Sequence, residues 1–366
     1  MMIRSLGYAF SICFTAALLT GCGALPLSLS KGQDDMQPPI GGPGEVPQSR
    51  VTAAHAAHGA SWMLPEAKNI KRLLYLSNGG SDVFVYDYHN FEKVGTLTGL
   101  DTAGAECVDA KGDVWIVEDT DGDQGGGDAV EYAHGGTTVL NKVTTDGPPI
   151  GCSVSPNGDL EITDGLILEQ SSQFGPGEVQ IWKNASGPPI DYGVISSCYF
   201  LTSGGYDNKG KLYVTGTAQN DESAGICELP AGGKTLIPVT VGRSITNPIG
   251  IMWDGKYMAI TNTDGYTTTI FQTDERKGKA LRIVGRTMLA ASCFGDEVYI
   301  SPPPFIIGKQ NTPVNRAQGT GVVGFNFICG VNPSHFLAWA YPTGGSPVRE
   351  IDIPSGSGEA VSIAPK

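Results

Sequence analysis

The stretch Pro149-Ile150-Gly151-Cys152-Ser153-Val154-Ser155-Pro156-Asn157-Gly158-Asp159-Leu160-Glu161-Ile162-Thr163-Asp164 decides how the rest of the chain is read. Two strand-like runs flank Asn157-Gly158, a pair in which both residues tolerate positive φ and the strongest short-range hairpin signal. The same shape returns over residues 106–116, 205–215 and 248–258, and in a shorter form over 292–301. The turn glycines Gly112, Gly158, Gly210, Gly255 and Gly295 are spaced on the order of 45 residues, the period of a β-propeller blade rather than of a helical solenoid.

Around each hairpin the chain supplies further strands. Third strands read Val83–Tyr86, Val179–Trp182, Gly225–Leu229 and Leu337–Tyr341; fourth strands read Lys234–Val239, Ala280–Val284 and Val348–Ile353. Lys71–Asn78 matches a second strand with no first strand before it, and Gly358–Ala364 reads as a first strand with no second after it. Pairing the two closes a ring and removes both sheet edges. The expected fold is therefore all-β: a six-bladed β-propeller over residues 71–366, closed by pairing of the C-terminal strand with the first N-terminal blade strand. The repeat phrase Pro-x-Gly-(apolar)-x-(apolar)-Asp-x-x-Gly-x-Leu-Tyr-Val-Thr-Asn, present in pieces in these hairpins, resembles that of NHL-repeat propellers, a likeness that implies fold and not activity.

Composition agrees with this reading. The 51 glycines and 24 prolines show no triplet period, and 40% hydrophobic residues are enough for a core, so the Gly and Pro belong to many tight turns. A formal charge of −13, with 24 Lys and Arg in no cluster, excludes a nucleic-acid partner, whose phosphates require concentrated positive charge.

Arg4, the apolar run Leu6–Leu19 and then Leu19-Thr20-Gly21-Cys22 resemble a bacterial lipoprotein signal with its lipobox. The resemblance implies a signal peptide over 1–21, diacylation at Cys22, and a membrane contact through the lipid anchor only, in the outer membrane if the organism is diderm. Residues 22–70 lack a hydrophobic period and read as a tether, which as a flexible coil reaches about 35 to 40 Å. A tether entering at the start of a second strand arrives at the end of the disc bearing the short first-to-second turns. The opposite end, bearing the long second-to-third loops, would then face away from the membrane and take the partner: a protein, peptide or glycan.

The candidate site residues lie at that loop-rich end. Asn78, Glu118, Asp164 and Asn262 close second strands; Glu106, Asn247 and Glu359 open first strands, and together they would rim a channel mouth, unless the Asn and Asp members only shape turns. Asp119, Asp121, Asp123 and Asp128 resemble a calcium loop, with a solvated acidic turn as the alternative. Glu359, Asn247 and Asp164 also match the Glu/Asn/Asp chemistry of the gluconolactonase-like propellers, implying a metal-dependent hydrolase or lactonase as the alternative to a binding scaffold. Other catalysis finds little footing, since the chain has no Gly-x-Ser-x-Gly elbow, phosphate loop or dinucleotide fingerprint. Cys107, Cys152, Cys198, Cys227, Cys293 and Cys329 allow up to three disulfides in 15 connectivities; for Cys107 and Cys152, repeat-equivalent on neighbouring inner strands, free buried thiols are the alternative. Ligand identity and oligomeric state are not legible.

Overall fold

The computed structural model describes residues 59–120, 126–165, 176–219, 223–241, 245–263, 267–276, 280–290, 298–300, 321–326, 334–353 and 358–363. Contacts divide the chain into two compact units, Met1–Gln48 and Ser49–Lys366, and all described residues belong to the second. The signal and lipidation motifs, including Cys22, lie outside them.

Six antiparallel sheets make up the described chain. Sheet II contains Ala103–Val108, Val114–Asp119, Gly127–Tyr132 and Val139–Thr145; sheet III contains Pro149–Val154, Leu160–Asp164, Glu178–Trp182 and Ile190–Gly193. Sheet IV contains Phe200–Tyr206, Leu212–Thr217, Ala224–Leu229 and Ile237–Pro238; sheet V contains Pro248–Trp253, Met258–Thr263, Thr268–Arg276 and Ala280–Leu289. Sheet VI contains Val298–Ile300, Gly321–Asn326, Ser334–Ala340 and Arg349–Ile353. Sheet I is assembled from both chain ends, in the order Trp62–Met63, Lys93–Thr98, Asp82–Asp87, Arg72–Ser77, Gly358–Ile363. The closing pair is in register from Arg72↔Ile363 to Ser77↔Gly358, with Leu74 opposite Val361.

Period-2 alternation on the second strands explains the ring. Leu73 and Tyr75 pack with Val114, Ile116 and Val130 between sheets I and II, whereas Leu74 and Leu76 face the other way onto Phe336 and Ala338 of sheet VI. Trp115 and Val117 meet Leu160 and Ile162 of sheet III. Val179 and Ile181 meet Leu212 and Val214 of sheet IV, Tyr213 and Ile226 meet Ile251 and Ile260 of sheet V, and Ala259 and Ile270 meet Leu337 and Trp339 of sheet VI. Each sheet thus buries both faces against its two neighbours, at about 1.5–3 kcal/mol per large apolar side chain. The first strands of successive sheets adjoin in the same circular order, and Val298–Ile300 meets Gly358–Ile363. This is a β-propeller arrangement.

The hairpin turns obey one rule. Asp109, Ser155, Asp207 and Asp254 open them, and each side-chain oxygen accepts backbone N–H groups further along the turn, at Lys111 and Asp113, Asn157 and Asp159, Lys209 and Lys211, or Lys256 and Tyr257. Only the glycine of each turn is left-handed, at φ 90°, 88°, 77° and 92° for Gly112, Gly158, Gly210 and Gly255. Asn157 does not share the positive φ that the Asn-Gly signal leads one to expect, because the Ser155 cap makes the turn longer than a two-residue one.

Two features differ from the sequence expectation. Order begins before residue 71: Trp62–Met63 pairs with Thr96 and Gly95, and Ala67 is fully buried in the core between sheets I and II. Because this short strand runs antiparallel to Lys93–Thr98, Gly59 lies beside Thr98, whose hydroxyl donates to the Gly59 carbonyl at 2.9 Å. Thr98 is at the loop-rich end of sheet I, so Gly59, the first described residue, lies there and not at the turn end. The expected entry at the turn end is therefore replaced by a described chain that starts at the loop-rich end.

Disulfides join Cys107 to Cys152, between the first strands of sheets II and III, and Cys198, in the link that precedes sheet IV, to Cys227 on the third strand of that sheet. Cys293 and Cys329 lie outside the described residues. Bridged cysteines fit an oxidising compartment. No helix among the described residues is long and apolar enough to cross a membrane.

Candidate functional site

Strand Leu160–Asp164 places two acids deep in the molecule. Leu160 and Ile162 face sheet II, which directs Asp164 to the same side and Glu161 and Thr163 to the side of sheet IV. Glu161 is fully buried; its carboxylate accepts the Ser153 hydroxyl at 2.8 Å and the Thr163 hydroxyl at 2.5 Å. Room for it exists because residue 204 is glycine: a Cβ there would overlap both carboxylate oxygens. Burial raises the Glu161 pKa to about 7, against the lowering effect of the two hydroxyls.

Asp164 is fully buried, and among the described residues neither of its carboxylate oxygens has a hydrogen-bond partner. Burial first, then the charges of Glu178, Glu161, Asp146 and Asp191, raise its pKa to about 8. Its carbon atoms pack on the link from sheet II to sheet III, where a Cβ on Gly147 would stand 3.2 Å from its carboxyl carbon. Glu178 is its cross-strand neighbour, and burial, followed by Asp191 and Asp146, raises the Glu178 pKa as well. Gln180, fully buried, donates to Asp146 at 3.2 Å and to Asp191 at 3.0 Å, holding those two exposed carboxylates at the surface above. The result is a cluster of acids in which Asp146 and Asp191 are exposed, Glu178 is half-buried and Asp164 is fully buried. An orphaned buried carboxyl costs folding free energy, about 1–3 kcal/mol or more, and such groups collect where binding or chemistry occurs.

The other rim candidates hold backbone or each other. Asn78 Oδ1 accepts the N–H groups of Gly80 and Asp82, and Asn262 Oδ1 accepts those of Thr246 and Asn247, both at 2.8 Å. Asn247 is exposed. Glu118 accepts from Asp101 N at 2.8 Å and shares Lys142 with Asp128, which lie 3.4 and 2.6 Å from the ammonium. Asp128 also accepts the Thr144 hydroxyl at 2.7 Å. Glu106 is buried on its first strand, opposite Ile116. Glu359 pairs through its backbone with Leu76, its side chain being outside the described set. Of the calcium-loop candidates Asp119 ends its strand, half-buried, while Asp121 and Asp123 lie outside the described residues.

The long connections are 120–126, 165–177, 218–223 and 301–320, all from second to third strands, against 109–113, 155–159, 207–211 and 254–257 at the turn end. Asp164 thus opens one of the longest connections. Sequence reasoning located Asp164 through its column but missed Asp146, Glu178, Gln180 and Asp191, which arrive from three other elements. The available signal for Glu161 was an acid set between apolar residues on a strand too regular to be a loop.

No family model matches this chain, and no curated protein matches it. Among solved structures, a protein of unknown function from Bacteroides caccae aligns at TM-score 0.52 and 12% identity, covering 80% of this chain and 99% of the other. A functionally unknown protein from Desulfotomaculum acetoxidans aligns at 0.51 and 10%, with the same coverages. The β-propeller domain of Cps50 (Swd1) from Myceliophteria thermophila aligns at 0.49 and 11%, covering 81% and 88%. At such identities the likeness is one of fold, and this chain is similar to proteins whose own function is unknown.

Proposed function

We propose that the chain is a binding module of the bacterial cell envelope, anchored through Cys22, whose loop-rich end takes a ligand presenting a cationic group, such as a lysine- or arginine-bearing peptide. The observation that carries this is Asp164: a fully buried carboxyl with no hydrogen-bond partner among the described residues, within the field of Glu178, Asp146 and Asp191. A cation reaching this acidic cluster would supply the missing donor and neutralise the surrounding charge, making a charge-assisted hydrogen bond worth about 1.5–3 kcal/mol. The test titrates a panel of short peptides, identical except for Lys, Gln or Glu at the variable positions, against the protein and its Asp146→Asn/Glu178→Gln/Asp191→Asn variant. The reading expects lysine peptides to bind, salt to weaken them, and the variant to lose about tenfold or more. No preference for lysine, or an unaffected variant, ends it.

A second reading, a metal-dependent hydrolase or lactonase, draws on Glu161 and Asp164 titrating near neutrality, the range a general acid or base needs. Turnover of lactones or esters that vanishes in Asp164→Asn and on chelation would favour it over the binding module.

A further inference from the structure

At the turn end of sheet II, away from Asp164 and its neighbours, three carboxylates converge. Asp109 opens the turn, Asp113 closes it, and Glu131 stands on the third strand opposite Trp115. One carboxylate oxygen from each lies within 4.8 Å of the other two. Glu131 is only 9% exposed, and among the described residues no hydrogen bond acts on its carboxylate; burial, then Asp109 and Asp113, raise its pKa.

The repeat supplies an internal comparison. In sheet IV the equivalent residues are Asp207, Lys211 and Glu228, with Tyr213 opposite Glu228 as Trp115 is opposite Glu131. There the Lys211 ammonium lies 3.4 Å from Glu228 and 2.6 Å from Glu275. In sheet III, Asp159 occupies the place of Asp113, and Lys183 meets it at 2.7 Å. In sheet V the Asp254 carboxylate accepts the Tyr341 hydroxyl at 2.7 Å and the Gln272 amide at 3.3 Å. Each of these turns carries its own cation or donor. Sheet II instead places a third carboxylate, Asp113, where sheet IV has its lysine, and Asp113 has the His134 backbone N–H as its donor. The cation described beside it, Lys111, has a side chain 76% exposed and stands 3.7 Å from Asp109, a surface pairing worth little.

We propose that Asp109, Asp113 and Glu131 form a binding site for a hard divalent cation of the calcium class. Three carboxylate oxygens within one coordination sphere, with no nitrogen or sulfur donor, suit an oxygen-seeking ion, and water completes its shell. The site is separate from Asp119 and Asp128, at the opposite end of the same sheet, and it does not depend on the function proposed above.

The test strips the purified full-length protein with chelator, then follows calcium by titration calorimetry and by thermal melting. Wild type is expected to bind calcium and melt higher with it. Glu131→Gln and Asp113→Lys should each lose one bound ion, or bind at least about tenfold more weakly. Asp113→Lys reproduces the arrangement of sheet IV, so it should melt in chelator no lower than wild type, showing an intact fold without the ion. An Asp121→Asn/Asp123→Asn variant should retain the ion. The proposal is overturned by absence of binding up to about 10 mM calcium, by unchanged binding in both Glu131→Gln and Asp113→Lys, or by loss of all calcium in Asp121→Asn/Asp123→Asn.

Discussion

Replacing Asp164 by asparagine keeps its shape and removes its titration. In the folded protein this carboxyl holds its proton up to about pH 8, whereas in the unfolded chain it releases it near the ordinary value of 3.8. Between those two pH values the native state carries one proton more than the unfolded state. Stability therefore falls as pH rises through this window, by about 1.4 kcal/mol per pH unit for this single group. Asparagine contributes no such slope. At pH 5 the two proteins should differ little, because Asp164 is already neutral when folded and only about one pH unit of the penalty has accrued. From pH 5 to pH 8 the variant should gain on wild type by about 4 kcal/mol. Equilibrium urea unfolding at pH 5, 6, 7 and 8, with the difference between the two proteins as readout, cancels Glu161 and the other acids common to both. Parallel stability curves would mean that Asp164 is solvated or paired, and the argument from its isolation would fail.

Other perturbations probe the scaffold. Replacing Cys107 and Cys152 by serine opens a loop spanning 45 residues, for which chain entropy gives a loss of about 4 kcal/mol, read by urea unfolding under non-reducing conditions; no change would show that the bond is absent in solution. Gly204→Ala should cost several kcal/mol, on the order of a severe overpacking substitution, and adding Glu161→Ala should recover part of it; additivity would refute the contact. A chain ending before Gly358 exposes Arg72–Ser77 as a sheet edge and should self-associate by light scattering, while a monomeric, cooperatively unfolding product would argue against closure by the C-terminal strand.

The ring was legible because its signals repeat: alternation on each second strand, a capped glycine turn, and two half-hairpins at the chain ends that complete each other. Leu74 opposite Val361 follows from that grammar. Trp62–Met63 was not legible, since two paired residues carry no period, and its reversal of direction moved the start of the described chain to the other end of the disc. Asp164 could be placed from its position at a strand end. Its isolation could not, because it depends on Glu178, Gln180 and Asp191 from later strands and on Asp146 from the preceding link. Asn78 and Asn262 show the converse: their types suggested ligand contact, and in the fold their oxygens hold loop N–H groups. Likewise Asp113 and Glu131 are 18 positions apart, and only strand pairing brings them to one spot.

The account centres on a protonated, buried Asp164 that awaits a cationic partner. Carboxyl-carbon NMR of aspartate-labelled protein, titrated free and then saturated with a lysine peptide, measures this directly. Asp164 should titrate near pH 8 when free and about one pH unit lower or more when bound, since an adjacent positive charge favours the ionised form. Titration below pH 5 in the free protein, or an unchanged midpoint on binding, would contradict it.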